Sequence, residues 1–183
     1  MPLGKRALQA GLFGCIGLLL IAGAGAAQAQ TAGIERTTIE NTPILARGDQ
    51  MTISGIAAGQ PDAVYVWVFG TNYRSLSNRV GVEADGTYRY VLERAVTEGF
   101  APGRYFAVVQ HPMIDGVQDV SVVSGTTIRV PGSTPVDLAR LQAPEAAAAL
   151  IAALNSPNSD DTYTMISFMV EDPWIRVDNV TTV

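Results

Sequence analysis

Cysteine, lysine and histidine are nearly missing from this chain of 183 residues. Each occurs once, as Cys15, Lys5 and His111. Cys15 lies in the N-terminal hydrophobic stretch, so everything after it lacks a disulfide, a thiol nucleophile and a cysteine ligand for zinc. One histidine cannot supply the nitrogen and sulfur ligands of an ordinary zinc site. It offers one base to a nucleophilic triad, and the chain has no GxSxG elbow to present a serine to it. There is no glycine-rich phosphate loop; the glycines are scattered at turns. Long apolar runs are missing too. The longest, over residues 12–22, spans about 11 residues where a membrane-crossing helix needs about 20.

That short run has a meaning of its own. Lys5 and Arg6 precede it, and the small-residue segment AGAGAAQAQ follows. Ala27-Gln28-Ala29 fits an A-x-A cleavage site, so residues 1–29 are predicted to be a signal peptide, with the mature chain starting near Gln30. An uncleaved anchor is the alternative, and a lipobox at Cys15 fits poorly because most of the apolar run comes after it. The signal places the protein outside the cell or on its surface, with no membrane span after cleavage. Residues 1–29 hold two basic residues and no acid, so the remainder carries ten arginines against 17 acids, a net charge of −7. Such a surface argues against nucleic acid or anionic lipid as partner, since both require positive charge. About 150 residues bury a sizeable core without staples, so residues 30–183 read as one domain.

Past Gln30 the hydrophobic pattern has mostly period two. DQMTISG (49–55) alternates Met51 and Ile53 inward with Thr52 and Ser54 outward. AVYVWVFG (63–70) sorts Val64, Val66 and Val68 to one face and Tyr65, Trp67 and Phe69 to the other, which predicts a strand covered on both sides. RVGVEADGTYRYVLE (79–93) reads as a hairpin turning at Asp85-Gly86, with the two positive φ angles of a type I′ turn. GRYFAVVQH (103–111) and residues 125–130 are further strands. Residues 133–137 suggest a short helical turn. PEAAAALIAALN (144–155) is a helix, with Pro144 and Glu145 suited to its start and Leu150, Ile151 and Leu154 as its apolar stripe. Strands follow near 162–170 and, after Pro173, near 174–177. The chain is therefore predicted to be mainly β, an antiparallel Ig-like sandwich with one inserted helix.

Two details sharpen the Ig-like reading. Pro102-Gly103-Arg104-Tyr105 opens a strand, where Tyr105 suits a tyrosine corner, its hydroxyl bonded to the loop before it. Trp67 sits on a strand where such folds keep a buried tryptophan. NTPILARGDQMTISG (41–55), PGRYFAVVQHPMIDG (102–116) and ALIAALNSPNSDDTYTMISFMVEDPWIRVD (149–178) together resemble a domain of cell-surface and S-layer-type proteins of methanogenic archaea. VVQHPM, SPNSDDTY and EDPWIRVD are the most specific pieces, and the resemblance spans about residues 32–179. It implies an exported β-sandwich of the cell envelope, with no catalytic residues to carry over. Proteins of that kind often continue into further domains and an anchoring segment. Residues up to Val183 hold no second hydrophobic stretch, which leaves a short gene, a fragment, or attachment through protein contacts as alternatives.

The candidate site residues divide into structural and binding groups. His111 shares a strand face with Tyr105, Ala107 and Val109, so it reads as a packed strand-end histidine; a binding or catalytic role lacks partners of the right type. Trp67, Tyr105 and Trp174 read as structural. Tyr65, Trp67 and Phe69 could form a sugar-binding platform, but aromatics on a strand are more often core. Asp115, Asp119, Asp160 and Asp161 are calcium candidates, since hard cations want several oxygens, though each alone reads as a turn or cap residue. Glu171-Asp172 raises the same question. Asn179-Val180-Thr181 is the one N-glycosylation sequon. Calcium is thus the only cofactor candidate, and no catalytic residue is assigned. The expected function is a non-enzymatic module of a surface layer, with protein partners in the envelope or further copies of itself. The alternatives are a carbohydrate-binding or calcium-dependent adhesion module and, last, a secreted hydrolase.

Overall fold

A computed structural model describes residues 44–113 and 115–174, together with the backbone of residues 33–39. The expected signal peptide with Cys15, the sequon at Asn179 and residues 175–177 lie outside the described residues.

Two sheets form a sandwich. The smaller has the order β1 (Gly33–Ile39), β3 (Met51–Ala58), β6 (Thr87–Leu92). The larger has the order β2 (Ile44–Ala46), β11 (Thr162–Glu171), β7 (Gly103–His111), β4 (Ala63–Phe69), β5 (Arg74–Gly81). Neighbours in both are antiparallel except β2, which runs parallel to β11. The run β11-β7-β4-β5 is the antiparallel sheet order of a variable-type immunoglobulin sandwich, so the mainly β, Ig-like expectation holds.

The period-two pattern explains the core. Met51 and Ile53 from β3, Val64, Val66 and Val68 from β4, Tyr105, Ala107 and Val109 from β7, and Phe168 and Val170 from β11 all point between the sheets. The opposite face of β4 is buried as well. Trp67 and Phe69 pack with Val108 beneath a third layer, made of helix α2 (Ala143–Leu154) and the small sheet β10 (Val136–Asp137), β9 (Thr127–Arg129), β8 (Ser121–Ser124). Trp67 and Phe69 are therefore core, covered by the helix layer, while Tyr65 on the same strand face is only half-buried. The helix stripe differs in detail. Ala143, Ala146, Ala147, Leu150 and Leu154 are buried, while Ile151 is only half-buried. Alanine methyls at the contact let the helix lie close to the aromatic rings, and full burial of Leu150 and Leu154 contributes about 1.5–3 kcal/mol each.

The tyrosine corner is present. The Tyr105 hydroxyl donates to the Ala101 carbonyl at 3.1 Å and meets Asn72 Oδ1 at 2.9 Å. Asn72 also accepts from the Ala101 N–H and donates to the Gly99 carbonyl, so one side chain holds the β4–β5 turn against the loop before β7. The Tyr105 ring stacks between Phe100 and Phe168, with centroids at 4.7 and 5.5 Å.

Three local expectations need correction. Residues 79–81 do not pair with residues 87–92; they belong to β5, across the sandwich beside β4, and only the bridge Val82↔Tyr88 joins the two arms of the expected hairpin. The turn between them closes from the Gly86 N–H to the Glu83 carbonyl (2.8 Å), with a positive φ at Gly86 and none at Asp85, so it is not type I′. The Asp85 carboxylate instead takes the Thr87 N–H and hydroxyl, which holds its carboxyl below the usual range. Residues 136–137 form β10 rather than a helical turn, because Asp137 Oδ1 accepts from Thr126 and from the Ala139 N–H and ties the segment to β9. Finally, the four-residue helix α1 (Arg94–Thr97) was not legible; the Thr97 hydroxyl reaches the Asp49 carbonyl at 2.7 Å and anchors it.

Candidate functional site

His111 ends β7 on the face that looks between the sheets. It is fully buried. Its Nε2 lies 2.9 Å from the Ala58 carbonyl at the end of β3, and its Nδ1 accepts the Met113 N–H at 2.9 Å. These partners define the tautomer: Nε2 carries the proton and Nδ1 the lone pair. Burial holds the imidazole below its usual pKa, partly offset by the Ala58 carbonyl. The ring thus links the two sheets and shapes the turn after β7. Both nitrogens are engaged, which leaves neither free to take a proton from a substrate.

A polar cluster lies on the other side of the same strand. Gln110 points into the outer layer, where Trp67 Nε1 donates to its Oε1 at 2.8 Å. Its Nε2 donates to the Val120 carbonyl at 3.1 Å and to Asp161 Oδ2 at 2.5 Å. Gln118 donates to the same Oε1 and to the Ser77 hydroxyl. Asp161 Oδ2 also accepts the N–H groups of Asp119 (2.9 Å) and Val120 (3.3 Å). Its other oxygen, Oδ1, is buried and has no hydrogen-bond partner. Asp161 is only 6 % exposed. Desolvation pushes its carboxyl up to about 6, against the lowering effect of its three donors, with Asp119 adding to the rise.

Asp119 and Asp160 complete the cluster. Asp119 Oδ2 accepts the Asp160 N–H at 2.9 Å. One ligand oxygen from each of Asp119, Asp160 and Asp161 lies within 4.8 Å of the others. The Asp160 carboxyl is pushed up by desolvation first, then by the nearby charges of Asp115 and Asp119. Three of the four aspartates nominated from sequence, Asp119 before β8 and Asp160 and Asp161 before β11, therefore meet at one end of the sandwich, while Asp115 contributes only charge near Asp160. Asp115 stays exposed and accepts the Val117 N–H at 2.9 Å, an Asx-turn as its Asp-Gly context implies. Two further buried oxygens without partners, Ser156 Oγ and Ser159 Oγ, belong to the same α2–β11 connection.

The other candidates separate. Asp172 pairs with Arg47 at 3.1 Å on an exposed surface. Trp174, nominated as structural, is 65 % exposed; it follows the end of β11, and its indole N–H donates to Glu171 Oε2 at 3.2 Å. Trp67 is buried as expected, but it faces the helix layer rather than the space between the sheets. Gln110 escaped the sequence reading. Its only signal was a glutamine on the strand face that Trp67 and Val108 also share.

No protein-family model matches the chain, and none of the curated proteins matches its sequence.

Proposed function

We propose that this protein is a non-enzymatic, exported module of the cell envelope that works by packing against envelope proteins, further copies of itself among them. The outer face of β11 carries the reading. Met165 and Met169 project from it at 45 % and 38 % exposure, and Ile44, opposite Met169 on β2, is 52 % exposed. Alternation along β11 puts Phe168 and Val170 in the core and these methionines at the surface, at the margin of a sheet face whose centre is already covered. Methionine is unbranched and polarizable and suits surfaces that repack against a partner. Exposed apolar patches of this kind mark interaction sites. The structural engagement of His111 supports the non-enzymatic part, and the N-terminal signal-like segment supports export. Among the described residues, no helix is long and apolar enough to cross a membrane.

Sedimentation velocity over a concentration series tests this. The protein should self-associate, and Met165→Glu/Met169→Glu should shift it to monomer. A monomer at every concentration that binds a glycan array would favour the adhesion alternative instead. A hydrolytic activity lost in His111→Ala would sink the reading altogether.

A further inference from the structure

The geometry points to a divalent-cation site of calcium type at Asp119, Asp160 and Asp161, joining the loop before β8 to the α2–β11 connection. Three features carry it independently of the interaction reading above. First, two oxygens bound to one calcium ion stand at most about 5 Å apart, twice a bond of roughly 2.4 Å. The three carboxylate oxygens satisfy that limit at 4.8 Å. Second, Asp161 Oδ1 is buried with no partner, although the neighbouring Oδ2 accepts three N–H donors. A buried carboxylate oxygen without a hydrogen is costly unless a donor or a cation meets it. Third, the ligand set is all oxygen, which suits a hard cation rather than zinc or copper. Asp115 adds charge near Asp160.

The site also explains how Asp161 is held. The N–H groups of Asp119 and Val120 and the Gln110 amide all occupy Oδ2, which leaves Oδ1 as the oxygen open to a cation. Gln110 is in turn fixed by the Trp67 indole. A bound cation would neutralise the repulsion among the carboxylates and clamp the outer layer onto the sheet. In its absence, those loops carry uncompensated like charge.

Asp161→Asn is the decisive variant. The amide oxygen takes the position of Oδ2, where three donors require an acceptor, and the amide nitrogen takes that of Oδ1. The hydrogen-bond network survives, while a donor faces the cation position. Calorimetric titration with CaCl2, in parallel with MgCl2, should give one saturable calcium site with Kd about 10⁻⁴–10⁻³ M, the range of exposed extracellular sites. At 10 mM CaCl2, Tm should rise by about 4–8 °C over its value in EDTA. Asp161→Asn should abolish both effects while melting in EDTA no lower than the wild-type protein. Asp160→Asn, at an exposed side chain with little folding risk, should weaken binding at least tenfold. The proposal is overturned if calcium neither binds nor shifts Tm, if magnesium alone binds, or if either variant binds calcium as the wild-type protein does.

Discussion

Replacing His111 with phenylalanine keeps the ring and removes both of its hydrogen bonds. The Ala58 carbonyl and the Met113 N–H, each 2.9 Å from the imidazole and part-buried, would lose these partners. Each orphaned group costs about 1–3 kcal/mol, so the change should destabilise the fold by about 2–5 kcal/mol, or roughly 5–15 °C in Tm for a domain of this size. His111→Ala should cost more, because it adds a cavity. The pH dependence is the sharper readout. The folded pKa of His111 lies below the unfolded value of 6.5, so between the two the unfolded chain binds more protons. Stability from this residue is therefore full above pH 6.5 and is lost as pH falls through the lowered folded pKa. Asp161 acts with the opposite sign. Its folded pKa, raised to about 6, makes the ionised form costly, so its contribution improves as pH falls through 6. Urea unfolding followed by tryptophan fluorescence from pH 8 to pH 5, in EDTA, separates the two. The wild-type protein minus the His111→Phe variant should show an advantage that shrinks on acidification. A constant difference across that range, or a variant as stable as wild type, would refute the tautomer and burial argument.

Other outcomes follow from the same contacts. Gly70→Ala should destabilise by about 3 kcal/mol or more in thermal melts, because the new Cβ would sit 1.9 Å from Tyr105 Cε1 and that ring is stacked between Phe100 and Phe168. Adding Tyr105→Ala to it should cost less than the sum of the single changes, and additivity would show that the clash is relieved elsewhere. Tyr105→Phe should lose about 1–2 kcal/mol in urea unfolding through the bonds to Ala101 and Asn72, and no loss would mean the corner is ornamental.

Much of this architecture was written in local patterns. The two-sided run AVYVWVF announced a strand buried on both faces, and Trp67 and Val66 are indeed covered from opposite sides. The alanine-rich segment announced α2, and the position of His111 on the strand face of Tyr105, Ala107 and Val109 announced its burial. The failures share a cause. Residues 79–93 have hairpin chemistry at Asp85-Gly86, but β5 gains a whole ladder with β4 by leaving the hairpin, and a ladder outweighs a turn preference. Trp174 has the composition of a core residue but lies three residues beyond the end of β11 and is exposed.

The aspartates show the division most clearly. Their residue types, their acidic surroundings and their turn contexts are properties of the chain read in order, and these nominated four carboxylates for calcium. The meeting of three of them was decided by β7 and β11 pairing antiparallel from Thr162↔His111 onward, which carries the loops before β8 and β11 to the same end of the sheet. Asp119 and Asp160 touch across 41 residues of sequence. Periodicity reports which face a residue occupies, because that depends only on its neighbours. Which oxygens converge, and which one is left buried without a partner, depends on the path of the whole chain.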